Sequence, residues 1–228
     1  MSWIRWSALA LAVAALVLLA LPGPFVRFGV WSIGIGFAVL RWSAYLGIAA
    51  ALLSVLALAI PKARARGIAL PAIALLLGLG VFYVPFQLYQ HARAMPPIND
   101  ITTDTENPPR YMTGPRAYPG AAVARQQRAA YPDIAPVLLP VPPREAFAKA
   151  VAAAEAMGWE VVGRDAAAGT IEAVDTTKWF GFKDDIAIRV TPTPEGGSRI
   201  DIRSKSRVGV GDVGTNAQRI RAYVERLK

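Results

Sequence analysis

The first 91 residues of this 228-residue chain contain no Asp or Glu. All sixteen acidic residues come later, whereas only six Lys or Arg residues come before that point. A helix of about 20 apolar residues is long enough to cross a hydrocarbon core of roughly 30 Å. The composition therefore predicts a membrane domain over residues 1–91, with three transmembrane helices at about 3–21, 42–60 and 68–90.

A further apolar segment, residues 25–40, lies between the first two of these helices. It is rich in glycine and bounded by Arg27 and Arg41. It could be interfacial, re-entrant or a fourth crossing. We favour an interfacial segment, because Trp31 and Trp42 are suited to the headgroup level of a bilayer.

The cationic loops predict the orientation. Lys62, Arg64 and Arg66 crowd the short loop between the second and third helices. Loops rich in Lys and Arg face the cytoplasm. The amino terminus is then also cytoplasmic, and everything after residue 91 is periplasmic or otherwise extracytoplasmic.

Composition also excludes several chemistries. The chain has no Cys, and its only histidine, His91, ends an apolar segment, so a thiolate nucleophile, a zinc–thiolate site and a Ser–His triad are excluded from the domain that follows. The net charge of +9 divides into +6 for residues 1–91 and +3 for the rest. Because most of the basic excess flanks apolar helices, we expect no nucleic-acid partner. We also expect no metal and no cofactor.

Residues 92–142 are predicted to be a linker. Eleven of the eighteen prolines lie between residues 92 and 143, and such a segment favours extended conformations. Residues 98–109 combine apolar positions with side chains that cap turns. We therefore expect this stretch to pack in one fixed place.

Residues 143–228 are predicted to form an extracytoplasmic α+β domain. A helix with an apolar face precedes four runs of strand character, and a second amphipathic helix ends the domain. Short connections imply an antiparallel sheet of four or five strands, counting a possible edge strand at 134–141, with two helices on one face. The opposite face is predicted to present a row of cations to solvent. The helices are expected at 143–157 and 215–227, and the strands at 159–163, 170–174, 185–191 and 199–208.

Three separated motifs resemble a known family. They are Ile98–Asp104 with Asn107–Pro109, Lys178–Asp185, and Ser204–Gly209 leading to Asp212–Ile220. Together they resemble the bacterial family called domain of unknown function 1499, over roughly residues 95–227. The resemblance implies that residues 98–109 belong to the domain, and that the membrane is a bacterial inner membrane. It implies no activity.

The acidic candidates favour a structural role. Asp184 and Asp185 are adjacent, so on a strand they point to opposite faces and cannot form a carboxylate dyad by themselves. One of them could still join Asp212 or Asp104 around a cation. We favour instead a salt-bridge network that joins Asp184 and Asp185 to Arg189 and to neighbouring arginines.

A second group of candidates suggests binding. Its basic strand and glycine loop could grip an anion such as a lipid headgroup, with backbone N–H groups at a helix start beside them. Trp179, from an aromatic run, is expected to be exposed and to suit a protein partner or the bilayer surface. The remaining candidates are Arg203, Lys205, Arg207, Gly209, Asp212 and Asn216.

Three functions remain open. We favour a non-enzymatic, membrane-anchored protein whose extracytoplasmic domain binds a protein partner or an envelope component. The second hypothesis is binding or sensing of an anionic amphipathic ligand such as a lipid headgroup. The third is an acid-dependent hydrolase that uses Asp104, Asp184 or Asp212.

Overall fold

The computed structural model describes residues 2–114 and 116–227. The chain forms two compact units. The first comprises Met1–Arg93 together with Lys178–Gly181, and the second comprises Ala94–Thr177 and Phe182–Lys228.

The first unit is helical. Three of its helical spans are long and apolar enough to cross a membrane, as predicted: Trp3–Arg27, Ile33–Ala59 and Ala69–Ala94. The individual helices are α1 (Trp3–Ala20), α2 (Pro22–Arg27), α3 (Ile33–Ala59), α4 (Pro61–Arg64) and α5 (Ala69–Ala94).

Helix α3 begins at Ile33 rather than near residue 42. Residues 33–40 of the segment expected to be interfacial therefore form the first turns of α3. The Ser32 hydroxyl accepts a hydrogen bond from the Ile35 N–H at 3.3 Å and caps this start. No polar break follows, and in an apolar environment the backbone is satisfied best by continuing the helix. Helix α5 likewise continues through Pro85 to Ala94.

Small residues hold the first unit together. Ala8, Ala12, Ala50 and Ala74 form one buried cluster that joins α1, α3 and α5. The backbones of α3 and α5 approach so closely that a Cβ on Gly78 would lie 2.6 Å from the Gly47 carbonyl oxygen. Such close approach between helices is the role of small residues in membranes.

The second unit is an α+β domain, which confirms the predicted class. Its sheet is antiparallel with six strands in the order β1-β6-β5-β4-β3, and β2 also pairs with β6. The elements are β1 (Asp100–Thr102), α6 (Ala121–Ala130), β2 (Val137–Leu139), α7 (Pro143–Ala156), β3 (Glu160–Asp165), β4 (Thr170–Thr176), β5 (Lys183–Pro192), β6 (Ser198–Ser206) and α8 (Thr215–Leu227).

Helices α7 and α8 cover one face of this sheet. Alternate residues of β4, β5 and β6 are buried beneath them, among them Ile171, Ile186 and Ile202. Tyr223 of α8 stacks on Trp159, with ring centroids 5.2 Å apart, and donates a hydrogen bond to the Ala150 carbonyl of α7 at 2.9 Å. These contacts make one apolar layer between the sheet and both helices.

The segment expected to be a linker differs from the prediction. Residues from Ala94 onward belong to the second unit, and residues 98–142 contribute β1, α6 and β2 to it. The domain therefore begins well before residue 143. Gln127 of α6 is 1% exposed. Its side chain accepts from the Thr102 N–H at 3.0 Å and donates to the Thr102 carbonyl at 2.6 Å.

The close helix contact gives a direct test of the first unit. In Gly78→Ala the new Cβ meets backbone 2.6 Å away, whereas at Gly80, in the same helix, a Cβ meets nothing within 4 Å. We expect Gly78→Ala to destabilise the helical unit by about 1–3 kcal/mol through overpacking. Gly80→Ala should be neutral or slightly stabilising. Thermal unfolding of both full-length variants in detergent measures the difference, and equal midpoints would contradict the helix contact.

Candidate functional site

The sheet face opposite α7 and α8 carries half of the candidate residues. Cross-strand partners share a face, and the register pairs Asp185 with Lys205 and Arg189 with Asp201. This face was expected to be a solvated row of cations, and that expectation is wrong. Arg203 is only 2% exposed, because the irregular chain between β1 and α6 lies over it. We call residues 103–114 and 116–119 the covering segment.

Arg203 of β6 forms an ion pair with Asp100 of the neighbouring strand β1 on this face. The Arg203 Nε and Nη2 atoms donate to the two carboxylate oxygens of Asp100, each at 2.8 Å. Lys205 Nζ donates to the same carboxylate at 3.0 Å. Asp100 is fully buried. Two of the three cations predicted to bind an anion therefore share one internal carboxylate as their partner.

Two tyrosines of the covering segment enclose the Arg203 guanidinium. Its central carbon lies 4.9 Å from the ring centroid of Tyr111 and 5.5 Å from that of Tyr118. Arg203 also donates to the backbone carbonyls of Pro109 at 3.3 Å and Arg116 at 2.9 Å. Burial, reinforced by the charge of Asp100, raises the pKa of Tyr118 to about 12. The guanidinium thus fastens the covering segment through stacking, hydrogen bonds and charge.

Asp185 anchors the same segment beside β5. Its carboxylate accepts from Arg207 Nη2 at 2.7 Å and pairs with Arg116. The hydrogen bond that Arg207 donates to Asp185 outweighs the opposing effect of burial and raises the pKa of Arg207. The Tyr111 hydroxyl donates to the Asp185 carbonyl at 3.1 Å. Arg207, the third predicted anion-binding cation, therefore also has an internal partner.

Glu172 of β4 fixes the far part of the covering segment. This side chain is 1% exposed. It accepts from the N–H groups of Met112 at 2.5 Å and Thr113 at 2.8 Å, and from the Thr113 hydroxyl. Glu172 of β4 and Asp185 of β5 thus hold the segment directly, whereas Asp100 of β1 acts through Arg203.

Arg189 belongs to a separate cluster at the other end of this face. Its Nη2 atom donates to Asp104 at 3.0 Å and to Asp201 at 2.8 Å. Arg199 donates to the same two carboxylates, at 2.9 Å to Asp104 and at 3.0 Å to Asp201. Asp104 is therefore a structural partner of two arginines.

Asp184 points to the helix-covered face, opposite Asp185. Its carboxylate accepts from Arg219 Nη2 of α8 at 2.6 Å, and Arg219 Nε donates to Asp175 at 2.8 Å. The predicted network of Asp184, Asp185 and Arg189 is thus distributed over three clusters.

Asn216, which is completely buried, donates to the Asn99 carbonyl and to the Ser206 hydroxyl, each at 3.0 Å. This network joins α8 to the ends of β1 and β6.

Asp212 organises the turn that leads into α8. Its carboxylate accepts from the N–H of Gly214 at 2.9 Å and from the N–H of Asn216 at 2.7 Å. Burial raises the pKa of Asp212, and these hydrogen bonds counteract that effect only in part. Val213, between Asp212 and Gly214, has a φ of 58°, a left-handed conformation that is unusual for a β-branched residue. The carboxylate is therefore occupied in holding a constrained turn.

The loop before Asp212 exposes two apolar side chains. Val208 is 41% and Val210 85% exposed. The loop is nevertheless held in place: the Gly209 carbonyl accepts from Asn99 Nδ2 at 2.5 Å, and the Asp212 N–H donates to the Ile98 carbonyl at 3.3 Å. We call residues 207–211 the valine loop.

The remaining candidate, Trp179, is 38% exposed. It lies in Lys178–Gly181, which group with the first unit, so it is separate from the clusters described above. Within residues 2–114 and 116–227, no three His, Asp or Glu side chains are placed to hold a metal ion.

Several residues of these clusters carry no recognisable signal in the sequence. Tyr111, Arg116 and Tyr118 lie in a proline-rich stretch without periodicity, so nothing indicates which strand they cover. Glu172 could have been identified, because it alternates with Ile171 and Ala173 on β4 and must face away from the apolar layer. The role of Arg219 could also have been predicted, because it lies one helical turn after Asn216 and therefore on the same face of α8.

Breaking the ion pair between Arg203 and Asp100 should release the covering segment. In Asp100→Asn, Arg203 keeps its charge in a buried site without a carboxylate, and we expect a loss of about 3–5 kcal/mol in the free energy of unfolding. Amide hydrogen exchange should accelerate at residues 110–114 and 116–118. Asp133→Asn is the matched control, because its ion pair with Arg221 is half exposed and should contribute about 0–1 kcal/mol. Equal effects of the two variants would contradict the anchoring role.

Comparison with known proteins agrees with a second unit that begins well before residue 143. No curated protein matches the chain. A family model described as protein of unknown function (DUF1499) matches residues 100–227, which is more than half of the 228 residues. The match begins at Asp100, the residue that pairs with Arg203, and ends with α8. The chain therefore belongs to the DUF1499 family.

Proposed function

We propose that this protein is a non-enzymatic, membrane-anchored binding protein, whose second unit recognises a protein partner or another envelope component through the valine loop. The observation that carries the proposal is Val210, an apolar side chain 85% exposed on a loop held in place by hydrogen bonds. An exposed apolar group on a preorganised loop loses little conformational entropy on binding. Burying one Val side chain contributes roughly 1.5–3 kcal/mol.

The state of the carboxylates supports binding over hydrolysis. The carboxylates of the hydrolase hypothesis serve different structural purposes: Asp104 pairs with Arg189, Asp184 pairs with Arg219, and Asp212 holds the turn into α8. Asp104 and Asp184 also lie on opposite sides of the sheet. A general acid or base must reach the reacting group, and these carboxylates are directed at internal arginines and backbone N–H groups.

The ion pairs also weigh against the second hypothesis. An anionic amphipathic ligand at Arg203, Lys205 and Arg207 would have to displace Asp100 and Asp185 from short hydrogen bonds. Exchanging a covalently attached carboxylate for a ligand anion gains little charge interaction. The valine loop needs no such exchange.

For location, we propose the bacterial inner membrane, with a cytoplasmic amino terminus and a periplasmic second unit. Lys62 and Arg64 of α4, with Arg66, support this orientation, because short loops rich in basic residues stay in the cytoplasm. A partner would then be a membrane or envelope component, and nucleic acid would be out of reach.

The valine loop can be tested by a charge substitution. We expect Val210→Asp to reduce recovery of a stoichiometric partner at least about tenfold, the equivalent of 1.4 kcal/mol, when the full chain is purified in mild detergent and bound proteins are quantified by mass spectrometry. Leu138→Asp is the matched control, since Leu138 of β2 is 69% exposed. A partner retained equally by both variants would exclude the valine loop. Recovery of bound lipid without protein would favour the anionic-ligand hypothesis.

The orientation can be tested with a reporter enzyme that is active only in the periplasm. Fused after Lys228 it should be active. Fused after Gly67, in the basic connection between α3 and α5, it should be inactive. The reverse pattern would overturn the proposed topology.

A further inference from the structure

Arg5 is a buried cation without a carboxylate to neutralise it. It lies in the first turn of α1 and is 8% exposed. Its Nε atom has no hydrogen-bond partner among residues 2–114 and 116–227. Buried charges are normally paired, because leaving one unpaired is costly. The position of Arg5 therefore calls for an explanation.

The first unit cannot supply a counter-ion from its own side chains. Residues 1–93 and 178–181, which form this unit, contain no Asp or Glu. The unit therefore contains cationic side chains and no carboxylate side chains. A partner for Arg5 inside this unit has to be an anion that does not belong to the chain.

Packing places Arg5 beside more positive charge. Its neighbour Ile4 packs with Ala57 of α3 and Ala63 of α4 in one buried cluster. A Cβ on Gly67 would lie 3.5 Å from Arg5 Nη2, so the guanidinium lies against the connection between α3 and α5. Lys62 and Arg64 belong to α4 in this connection and are exposed. The end of the helical unit thus combines one buried guanidinium with exposed cations.

A phosphate group matches this arrangement. Guanidinium is planar and presents a fork of donors that fits phosphate with two parallel hydrogen bonds. The site lies at the first turn of a membrane-spanning helix, the depth at which headgroups lie. Exposed apolar rings flank it: Trp3 is 65% and Trp6 59% exposed, and such rings are typical of the bilayer interface. Basic pockets at the ends of membrane helices bind anionic headgroups.

We propose that Arg5, with Lys62 and Arg64, binds the phosphate of an anionic phospholipid headgroup at this end of the helical unit. The lipid supplies the negative charge that this unit lacks, and its acyl chains lie along the exposed apolar surface of α1. This site is independent of the second unit and of the partner proposed for the valine loop.

Native mass spectrometry of the full chain tests the proposal. The purified protein is offered equal amounts of palmitoyl-oleoyl phosphatidylglycerol and phosphatidylcholine in detergent. We expect the wild type to retain the anionic lipid preferentially, and Arg5→Gln to reduce its retention about tenfold, as expected for loss of a hydrogen bond between charged groups. Arg144→Gln removes the same charge from an exposed position on α7 and should retain the lipid as the wild type does.

Three outcomes would overturn the proposal. Equal retention of both lipids by the wild type would do so whether or not the variant folds. Unchanged retention in Arg5→Gln, with helix content preserved by circular dichroism, would also do so. The third is thermal stabilisation of the wild type, but not of Arg5→Gln, by inorganic phosphate alone to the same extent as by phosphatidylglycerol, because it would identify a free-phosphate site in place of a headgroup site.

Discussion

The ion pair between Arg203 and Asp100 is the interaction on which the second unit depends. Both side chains are buried, and their two hydrogen bonds are 2.8 Å long. A buried pair of this kind adds little net stability over an apolar pair of equal volume, yet separating its members is costly. Its main effect is on specificity. A shift of β1 by one residue would turn Asp100 toward the apolar layer and Ile101 toward the charges, so the pair selects one register.

That register explains how one sheet separates two different environments. On one face, isoleucines pack beneath α7 and α8. On the other face, Asp185, Glu172 and Arg203 hold the covering segment. The segment has no regular hydrogen-bond pattern of its own, so its position is determined by the side chains under it. Three of the residues that suggest chemistry in the sequence, Asp185, Arg189 and Arg203, bind this segment directly.

The sequence predicted the elements that carry periodic apolar residues. The spacing of Ala217, Ile220 and Tyr223 predicted α8, which runs from Thr215 to Leu227 as expected. The prediction was weaker where local sequence does not determine structure. Strand β1 has only three residues and exists because β6 extends beside it. Tertiary contacts decide such elements, and a proline-rich composition obscures them.

The site was predictable in part. Alternation correctly separated Asp184 from Asp185, because neighbouring strand residues point to opposite faces. It could not show that Arg203 is buried, since the tyrosines that cover it come from a distant segment without periodicity. A cation on a strand is normally solvated, and only the fold shows where a loop encloses it.

The contact between Gln127 and Thr102 affects whether copies of the domain can associate through their sheet borders. Membrane anchoring confines copies of a protein to two dimensions and keeps their domains near one another. Under these conditions an unpaired edge strand can form backbone hydrogen bonds with a strand of a neighbouring copy. At β1 the amide of Gln127 occupies both backbone hydrogen-bonding groups of Thr102. At the opposite border, the irregularity between Val161 and Gly163 interrupts β3. The Gln127 side chain at β1 and the irregularity in β3 thus both make it harder for a strand of another copy to pair with these borders of the sheet.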